Sequence, residues 1–354
     1  MTKTAAGNFF EDFSLDQVLE HATPRTLTAG DVALYQGLTG SRFAQQSAVT
    51  VARKNGLPQL PVDDLLTFHV VFGKSVPDIS LNAVANLGYA NGRFLGLCYP
   101  GDTLSARSKV IGLKENSNGK TGIVYVRTVG CKADGTEVLD YVRWVMVRKR
   151  EPGTSAAAAQ VPELPKAVAA ADLVVPEGLG PLRLDPVQTG SAFAFEDYAV
   201  GEKIDHVDGM GVMEAEHRVA TRLYQNTARV HFNDFTERSG RLGAVIVYGG
   251  VVISLARALS FNGLGNALHV LAINAGAHAN PCVSGDTVFA WSEVLDKADL
   301  PGRADAGALR LRSVAVKDRP CDDFPHRQSD GRYDPSVLLD LDYWVLMPKR
   351  AAFV

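Results

Sequence analysis

The sequence predicts an α+β fold built from two similar modules, each with a long helix packed against an antiparallel sheet. Three observations support this prediction. Short motifs recur in the same order in both halves of the 354-residue chain. Each half contains an apolar helical segment followed by three β-rich segments. An Ala- and Pro-rich stretch at 151–182 separates the halves.

The internal repeat spans both halves of the chain. Gly101-Asp102-Thr103 recurs as Gly285-Asp286-Thr287 after 184 positions, and residues 140–145 resemble residues 340–345 after 200 positions. Several matches in one order, at nearly one separation, indicate a duplication. The longer last separation predicts an insertion in the second half, at the polar stretch 317–333. Further matches pair 10–13 with 195–198, 34–36 with 223–225 and 82–83 with 266–267.

Each half opens with a predicted helix. Thr28 precedes the first of these helices and is a good N-cap, because its hydroxyl can accept a backbone N–H. Glu214, which precedes the corresponding helix of the second half, is a weaker N-cap. A longer helix is predicted next in each half, at 62–72 and at 250–259.

The helix predicted at 250–259 has the clearest pattern. Val251, Leu255 and Leu259 recur at helical spacing and form one apolar stripe. Arg257 is its only charged residue, so we expect the sheet to wrap this helix. β-branched residues and alternation predict three strands in each half. These strands are predicted at 105–112, 122–131 and 137–148, and at 287–294, 308–316 and 338–346.

The stretch 151–182 is predicted to be an inter-domain linker, with a short helix around 165–171. The modules are then 1–150 and 183–354. The net charge of −3 and the lack of a long apolar run argue against nucleic acid and membrane partners. The four cysteines are scattered, so no metal site is expected. A cytoplasmic location is expected because the N-terminus lacks an apolar signal core.

The polar cluster at 226–234 is the best candidate for chemistry. It contains Asn226, His231 and Asp234, and it is followed by Gly249-Gly250 at the start of the predicted helix. His231 titrates near neutral pH when unperturbed, and helix N-terminal N–H groups lack intrahelical partners. This order of residues favours acid–base catalysis on a ligand carbonyl.

The segment YPGDTL at 99–104 and its copy NPCVSGDT at 280–287 resemble a segment of MaoC-like dehydratases and (R)-specific enoyl-CoA hydratases. Residues 62–94 look closest to the mesaconyl-CoA (2-methylfumaryl-CoA) hydratase family. The resemblance implies a double hotdog fold over nearly the whole chain. It also implies hydration of mesaconyl-C1-CoA to β-methylmalyl-CoA, with no cofactor other than the CoA of the substrate. A monomer or a homodimer of double-hotdog chains is expected.

The catalytic segment of the wider family has the pattern D-x-N-P-L-H. Here His231 stands in the place of the histidine and Asn226 in the place of the aspartate. Gly249-Gly250 corresponds to the family's HG pair. In the first half Ser41 and Gln46 stand in the places of aspartate and histidine. We therefore expect that half to be catalytically silent and to shape the acyl pocket.

Each candidate has a predicted role. His231 activates water, Asn226 holds that water without exchanging protons, and the Gly250 N–H stabilises the enolate oxygen. Asp234 either takes over the role of the missing aspartate or orients the imidazole of His231. Structural roles are open as well: Asn226 can form an Asx turn and Asp234 can be a solvated cap. Asp102 and Asp286 are expected to form local backbone hydrogen bonds in turns.

A second carboxylate on the substrate would suit an arginine. Arg229 is nearest to His231 in the sequence, and Arg238, Arg241 and Arg42 are further candidates. Two other functions remain open: a hotdog acyl-CoA thioesterase, and a non-catalytic acyl-CoA-binding protein. His69 and His269 lie in apolar runs and are expected to be packed core residues.

Overall fold

The computed structural model describes residues 3–153, 159–240 and 242–354. Within these ranges, ten strands form one antiparallel sheet that wraps two long helices. The helices are α1 Ala29–Thr39, α2 Ala44–Ser47, α3 Val49–Lys54, α4 Asp64–Ile79, α5 Pro186–Thr189, α6 Glu214–Leu223, α7 Asp234–Glu237, α8 Gly249–Leu259 and α9 Phe261–Leu264. The strands are β1 Val18–Thr26, β2 Ala83–Phe94, β3 Thr103–Glu115, β4 Thr121–Lys132, β5 Glu137–Arg148, β6 Lys203–Gly211, β7 His269–His278, β8 Thr287–Asp299, β9 Ala306–Lys317 and β10 Val337–Pro348.

The strand order is β1-β3-β4-β5-β2-β7-β10-β9-β8-β6. Five strands from each half therefore form one continuous sheet, and the halves meet where β2 pairs with β7. At that junction Tyr89 is opposite Gly276 and Ala90 is opposite Ala275. The prediction of two helix-and-sheet modules is confirmed, and both modules contribute to one layer.

All six predicted strands are present, most of them longer than predicted, but four strands were missed: β1, β2, β6 and β7. The sequences of β2 and β7 are rich in Ala, Gly and Asn, which are weak strand formers. Small residues are needed there because aromatic rings lie against them. A Cβ added at Gly88 would lie 2.3 Å from the Trp144 ring, and one at Gly276 would lie 2.7 Å from the Tyr89 ring.

The helix starts agree with the capping chemistry. Thr28 caps α1 and accepts a hydrogen bond from the Asp31 backbone N–H. Glu214 is the first residue of α6 and not its cap, which is Met213. The helix α4 begins at Asp64 and continues through Pro77, well beyond the predicted end at residue 72. All of α8 from Gly250 onward is buried, as predicted from its few charges.

In the described part of the segment between the modules, the region around Val168 is packed against the protein. The short helix predicted around 165–171 is wrong, because this region has only a single 3-10 turn, at Ala170–Asp172. The backbone N–H of Val168 instead donates to Asn274 Oδ1 at 2.9 Å, and the Trp344 indole N–H donates to the Val168 carbonyl at 3.1 Å. These hydrogen bonds tie the segment to the second module.

The predicted insertion forms a loop over the outer face of the second module. The Trp291 indole N–H donates to the Pro325 carbonyl at 3.0 Å. Asp340 accepts a hydrogen bond from the Tyr333 hydroxyl at 2.9 Å and pairs with His326 at 2.9 Å. The loop therefore covers the aromatic side chain of Trp291, which has no aromatic counterpart in the first module.

The two GDT turns are equivalent, as expected from the repeat. Asp102 accepts from the Tyr99 backbone N–H at 2.8 Å, and Asp286 accepts from the Val283 backbone N–H at 2.9 Å. Both carboxylates therefore have the predicted local role. No helix in the part of the chain that the structure describes has the length and apolarity that crossing a bilayer would require.

Candidate active site

A cavity of about 330 Å³ lies between the C-terminal part of α4 and the start of α8. Both modules build its walls. The first module contributes residues of α4, the start of β2 and one side chain of β5. The second contributes residues from 226–231 and 246–248, two residues of α8 and the end of β7. His231, Asn226 and Gly249 all line this cavity, so the structure brings three of the predicted site residues together.

His231 is held in one orientation by the backbone. It ends a 3-10 turn, Arg229–His231, and its Nδ1 lies 2.9 Å from the Ile246 carbonyl oxygen. A carbonyl can only accept, so Nδ1 carries the proton and Nε2 presents a lone pair. The ring packs edge-on against Tyr248, with 5.5 Å between centroids. Burial is the main cause that lowers the pKa of His231, to about 4, so the imidazole is neutral at pH 7.

Asn226 combines a structural and a cavity position. Its side chain is buried, and its Oδ1 accepts the Ala228 backbone N–H at 2.9 Å, which is an Asx turn. Its own backbone N–H donates to the Thr221 carbonyl at 3.1 Å. Its side-chain NH₂ group has no hydrogen-bond partner among the described residues and belongs to the cavity wall. The amide can therefore stabilise the loop and still donate to a water molecule.

The predicted site residue Asp234 does not line the cavity. Its two carboxylate oxygens accept hydrogen bonds of 2.7 and 2.8 Å from the Arg218 guanidinium. Those hydrogen bonds are the main cause that lowers the pKa of Asp234. The role of orienting His231, which the sequence suggested for Asp234, is filled by the Ile246 carbonyl.

The two glycines make room for aromatic and imidazole rings. A Cβ added at Gly249 would lie 2.3 Å from Cε1 of His278, and one at Gly250 would lie 2.3 Å from the Tyr248 ring and 2.7 Å from His69. Gly249 lines the cavity, while Gly250 is the next residue of α8. The backbone N–H groups of both are in the first turn of the helix, where they have no intrahelical acceptor.

The imidazole of His278 and the guanidinium of Arg143 also line the cavity, and sequence reasoning missed both. The Nε2 atom of His278 lies 3.2 Å from the Tyr89 hydroxyl. Burial, and to a lesser extent His231, lowers the pKa of His278 to about 4. His278 ends the unpredicted strand β7, so no local pattern marked it. A comparison of the repeats could have singled out Arg143, because the repeats differ there: the counterpart 200 positions later is Tyr343.

Among the arginines proposed from the sequence, the three that the structure describes do not line the cavity. Arg229 is exposed and donates to Asn82 Oδ1 and to the Ala6 carbonyl, both at 3.2 Å, so its predicted substrate-binding position is not supported. Its side chain ties the N-terminal segment to the second module. Arg238 is exposed, and Arg42 stacks over the Phe261 ring at 4.6 Å. Arg241 lies outside the described residues.

The corresponding position in the first module has no base. Gln46, which the repeat aligns with His231, donates to the Leu268 carbonyl at 2.7 Å. Asp64, aligned with Gly249, accepts the Val270 backbone N–H at 2.9 Å and lies 3.2 Å from His269. The space beside it is only about 10 Å³ and is lined by Arg257 among others. His69 and His269 are fully buried, as expected.

The comparisons agree with this architecture. A family model described as mesaconyl-CoA hydratase matches residues 2–180. The chain is 61% identical to a β-methylmalyl-CoA dehydratase of Chloroflexus aurantiacus, covering 98% of this chain and 99% of the relative. It is 59% identical to a mesaconyl-CoA hydratase of Cereibacter sphaeroides, covering 98% and 100%.

Solved structures show the same fold. The crystal structure of a MaoC domain protein dehydratase from Chloroflexus aurantiacus is 60% identical, with a TM-score of 0.95, and covers 99% of this chain and 100% of that one. A Mycobacterium tuberculosis protein described as a double hotdog is 25% identical, with a TM-score of 0.75, and covers 97% and 99%. The predicted double hotdog is confirmed, and the chain belongs to the mesaconyl-CoA hydratase family.

Proposed function

We propose that this protein adds water reversibly to the carbon–carbon double bond of mesaconyl-CoA, and that the product is β-methylmalyl-CoA. The similarity to two relatives that carry these names supports the substrate. The observation that carries the chemistry is the neutral, backbone-anchored His231 in the wall of a cavity that borders the start of α8. The C1 thioester is the expected isomer.

The first step is the attack of water on the β-carbon of the enoyl thioester. The Nε2 lone pair of His231 accepts a proton from water while the water oxygen bonds to the β-carbon. The electrons of the double bond move toward the thioester carbonyl, whose oxygen becomes an enolate. The side-chain NH₂ group of Asn226 donates to the attacking water and fixes its position.

The second step returns the proton to the α-carbon. The imidazolium of His231 now carries two N–H groups, and its Nε2–H protonates the α-carbon, which restores the neutral ring and the thioester. The net change is the addition of one water molecule, and no cofactor or metal takes part in the proposed steps.

The enolate needs donors that are already in place before the reaction. The backbone N–H groups of Gly249 and Gly250 are in the first turn of α8, where they lack intrahelical acceptors and carry the positive end of the helix dipole. One such donor is typically worth about 3 kcal/mol in the transition state. We assign the enolate oxygen to these amides.

One chain is sufficient for this site, because α4, β2 and β5 of the first module and α8 and β7 of the second supply its walls. The first module is catalytically silent in this proposal but shapes the acyl pocket. Whether the protein is a monomer or a homodimer, and whether it is cytoplasmic, remain predictions.

The decisive assay uses mesaconyl-C1-CoA, crotonyl-CoA and a longer enoyl-CoA, and follows enoyl absorbance and free thiol in the same sample. The proposed function requires loss of enoyl absorbance without thiol release, with mesaconyl-CoA as the best substrate. Thiol release at the rate of substrate loss would identify a thioesterase. Binding of all three esters without turnover would identify a non-catalytic acyl-CoA-binding protein.

A further inference from the structure

Arg143 is a fully buried cation in the cavity wall. It projects from β5 toward α4, and its exposed fraction is 0%. Its Nη2 donates to Ser75 Oγ at 2.8 Å, and the guanidinium lies 3.4 Å from Ser80 Oγ. The guanidinium also stacks over the Phe72 ring, with 4.3 Å to the ring centroid. The side chain is therefore held in one orientation by α4.

This cation has no anionic partner among the described residues. Its protein contacts are two neutral hydroxyls and an aromatic face, and its Nε has no hydrogen-bond partner there. A buried charge is normally paired, because leaving water without compensation costs several kcal/mol. Burial is the main cause that lowers the pKa of Arg143. The pairing that the protein lacks is available from a ligand.

Other polar groups of the same wall are also unpartnered. Both side-chain amide atoms of Asn86 and the hydroxyl of Tyr248 are buried without a hydrogen-bond partner in the described structure. Asn86, Tyr248, Ser80 and Arg143 all line the cavity. Buried polar groups are usually satisfied, so a cluster of unsatisfied ones facing one space points to a polar ligand.

The repeat shows that this arrangement belongs to one site only. Residues 140–145 correspond to residues 340–345, and the counterpart of Arg143 is Tyr343. Tyr343 borders the small void of about 10 Å³ in the other module. An arginine at this strand position is therefore present only on the side of the chain that has the cavity and His231, whereas the guanidinium beside the small void comes from Arg257 of α8.

We propose that Arg143 binds the distal carboxylate of the acyl group, together with Ser80 and Asn86, and thereby makes the enzyme specific for dicarboxylic acyl-CoA esters. The inference rests on the proposed function. A planar guanidinium can meet a carboxylate through two parallel hydrogen bonds. In mesaconyl-C1-CoA this carboxylate is bonded to the carbon that water attacks. The same contact therefore positions the β-carbon relative to His231.

The test compares two saturated esters that cannot be hydrated. Methylsuccinyl-CoA, with the thioester beside the methyl-bearing carbon, and 2-methylbutyryl-CoA differ only in a carboxylate that is replaced by a methyl group. Their dissociation constants are measured by calorimetry for the wild type and for Arg143→Met. We expect Arg143→Met to bind methylsuccinyl-CoA at least about 100-fold more weakly, the usual scale for truncating one partner of a buried ion pair. Its affinity for 2-methylbutyryl-CoA should be unchanged or higher.

Two further variants control for folding. Arg257→Met removes another buried arginine, one that does not line the cavity, and should keep the wild-type ratio of the two affinities. Arg143→Lys keeps the charge but not the two-pronged geometry and should lose about 10-fold for methylsuccinyl-CoA alone. If Arg143→Met does not fold, this selective loss in Arg143→Lys decides the question.

The two proposals can fail separately. A wild type that hydrates mesaconyl-CoA, with an Arg143→Met variant that keeps the wild-type affinity ratio, overturns the inference and leaves the proposed function intact. Loss of the ratio in Arg229→Met instead would assign the carboxylate to that arginine. A wild type that does not hydrate mesaconyl-CoA overturns the proposed function. Equal affinity of that protein for both esters would then overturn the inference as well.

Discussion

The Nδ1 atom of His231 lies 2.9 Å from the carbonyl oxygen of Ile246, in a chain segment 15 residues away. This contact decides the tautomer, because only a protonated Nδ1 can donate to a carbonyl. It leaves the Nε2 lone pair for chemistry, and burial keeps the ring neutral. A backbone carbonyl thus has the orienting role that a carboxylate has in many acid–base pairs.

Replacing His231 by alanine should lower the hydration rate at least about 100-fold, the low end for general acid–base catalysis. His231→Gln is the matched variant, because Gln46 stands in this place in the first module and donates to a backbone carbonyl. It should fold like the wild type and be as inactive as His231→Ala. The measurement is kcat for mesaconyl-CoA. Wild-type turnover in either variant would remove His231 from the mechanism.

Asn226→Asp should fold, because a carboxylate oxygen can still accept the Ala228 backbone N–H. If this position is equivalent to the family's aspartate, the hydration rate should hold or rise. Asn226→Ala should lose both the water contact and the turn, which costs about 1 kcal/mol of stability. Rates at fixed pH and thermal unfolding of both variants provide the measurement. A fully active Asn226→Ala would reduce the residue to a purely structural role.

The pH dependence of kcat/KM reports the free enzyme. Burial lowers the pKa of His231 to about 4, so the base is already deprotonated at neutral pH. We expect kcat/KM to remain constant on acidification past about pH 6.5, where an exposed histidine would protonate. An acidic limb centred near 6.5 would contradict the burial of this ring.

The lowered pKa values of the buried histidines should also make the free energy of unfolding depend on pH. In the unfolded chain His231, His278 and His206 titrate near about 6.5, whereas burial lowers the pKa of each to about 4 in the folded protein. Between these values the unfolded state binds more protons, so the free energy of unfolding should fall as the pH drops. The slope is about 1.4 kcal/mol per pH unit for each histidine. Urea denaturation at a series of pH values measures it, and a flat profile from 6.5 to 4.5 would refute the prediction.

Asp234→Asn should leave hydration of mesaconyl-CoA within about twofold of the wild type, the range of an uninvolved surface residue. The Asp234 carboxylate is already bound by Arg218 at 2.7 and 2.8 Å and does not line the cavity. Arg218→Met removes the partner of Asp234 and is the matched control, so its hydration rate should also stay within about twofold of the wild type. A large loss of kcat in Asp234→Asn with an unchanged Arg218→Met would return Asp234 to the mechanism.

Gly249→Ala should be destabilising and poorly active. Its Cβ would lie 2.3 Å from Cε1 of His278, so the imidazole or the start of α8 must move. Overpacking of this kind typically lowers the free energy of unfolding by about 2 kcal/mol. Gly37→Ala is the control, because no atom lies within 4 Å of the added Cβ. Thermal unfolding and kcat of both variants test the prediction. Wild-type stability in Gly249→Ala would contradict the packing.

Local patterns predicted the long helices and six of the ten strands. Period, capping and β-branched content suffice where a strand faces an apolar core, as in β4 and β5. They failed for β2 and β7, which join the modules. There the strands carry Gly88 and Gly276 because Trp144 and Tyr89 occupy the space above them, a requirement that no local rule contains.

The site residues also fall into those that the local sequence predicted and those that it did not. His231, Asn226 and Gly249 were predictable because they belong to one contiguous segment that carries a repeat and a family pattern. Asp234 belongs to that segment too, but its carboxylate binds Arg218 and does not line the cavity. Proximity in sequence is a guide to the loop, but it does not say which way each side chain points.

The sequence by itself indicated the duplication and the imidazole that distinguishes the second module from the first, and its resemblance to a known family implied the double hotdog. Only the packing of one module on the other brings Arg143 of β5 and His278 of β7 to the same cavity as His231. The physical reason is that strands expose alternate residues to opposite faces, and which face borders a cavity depends on the partner that covers it. The cavity chemistry is thus a property of the docked pair of modules.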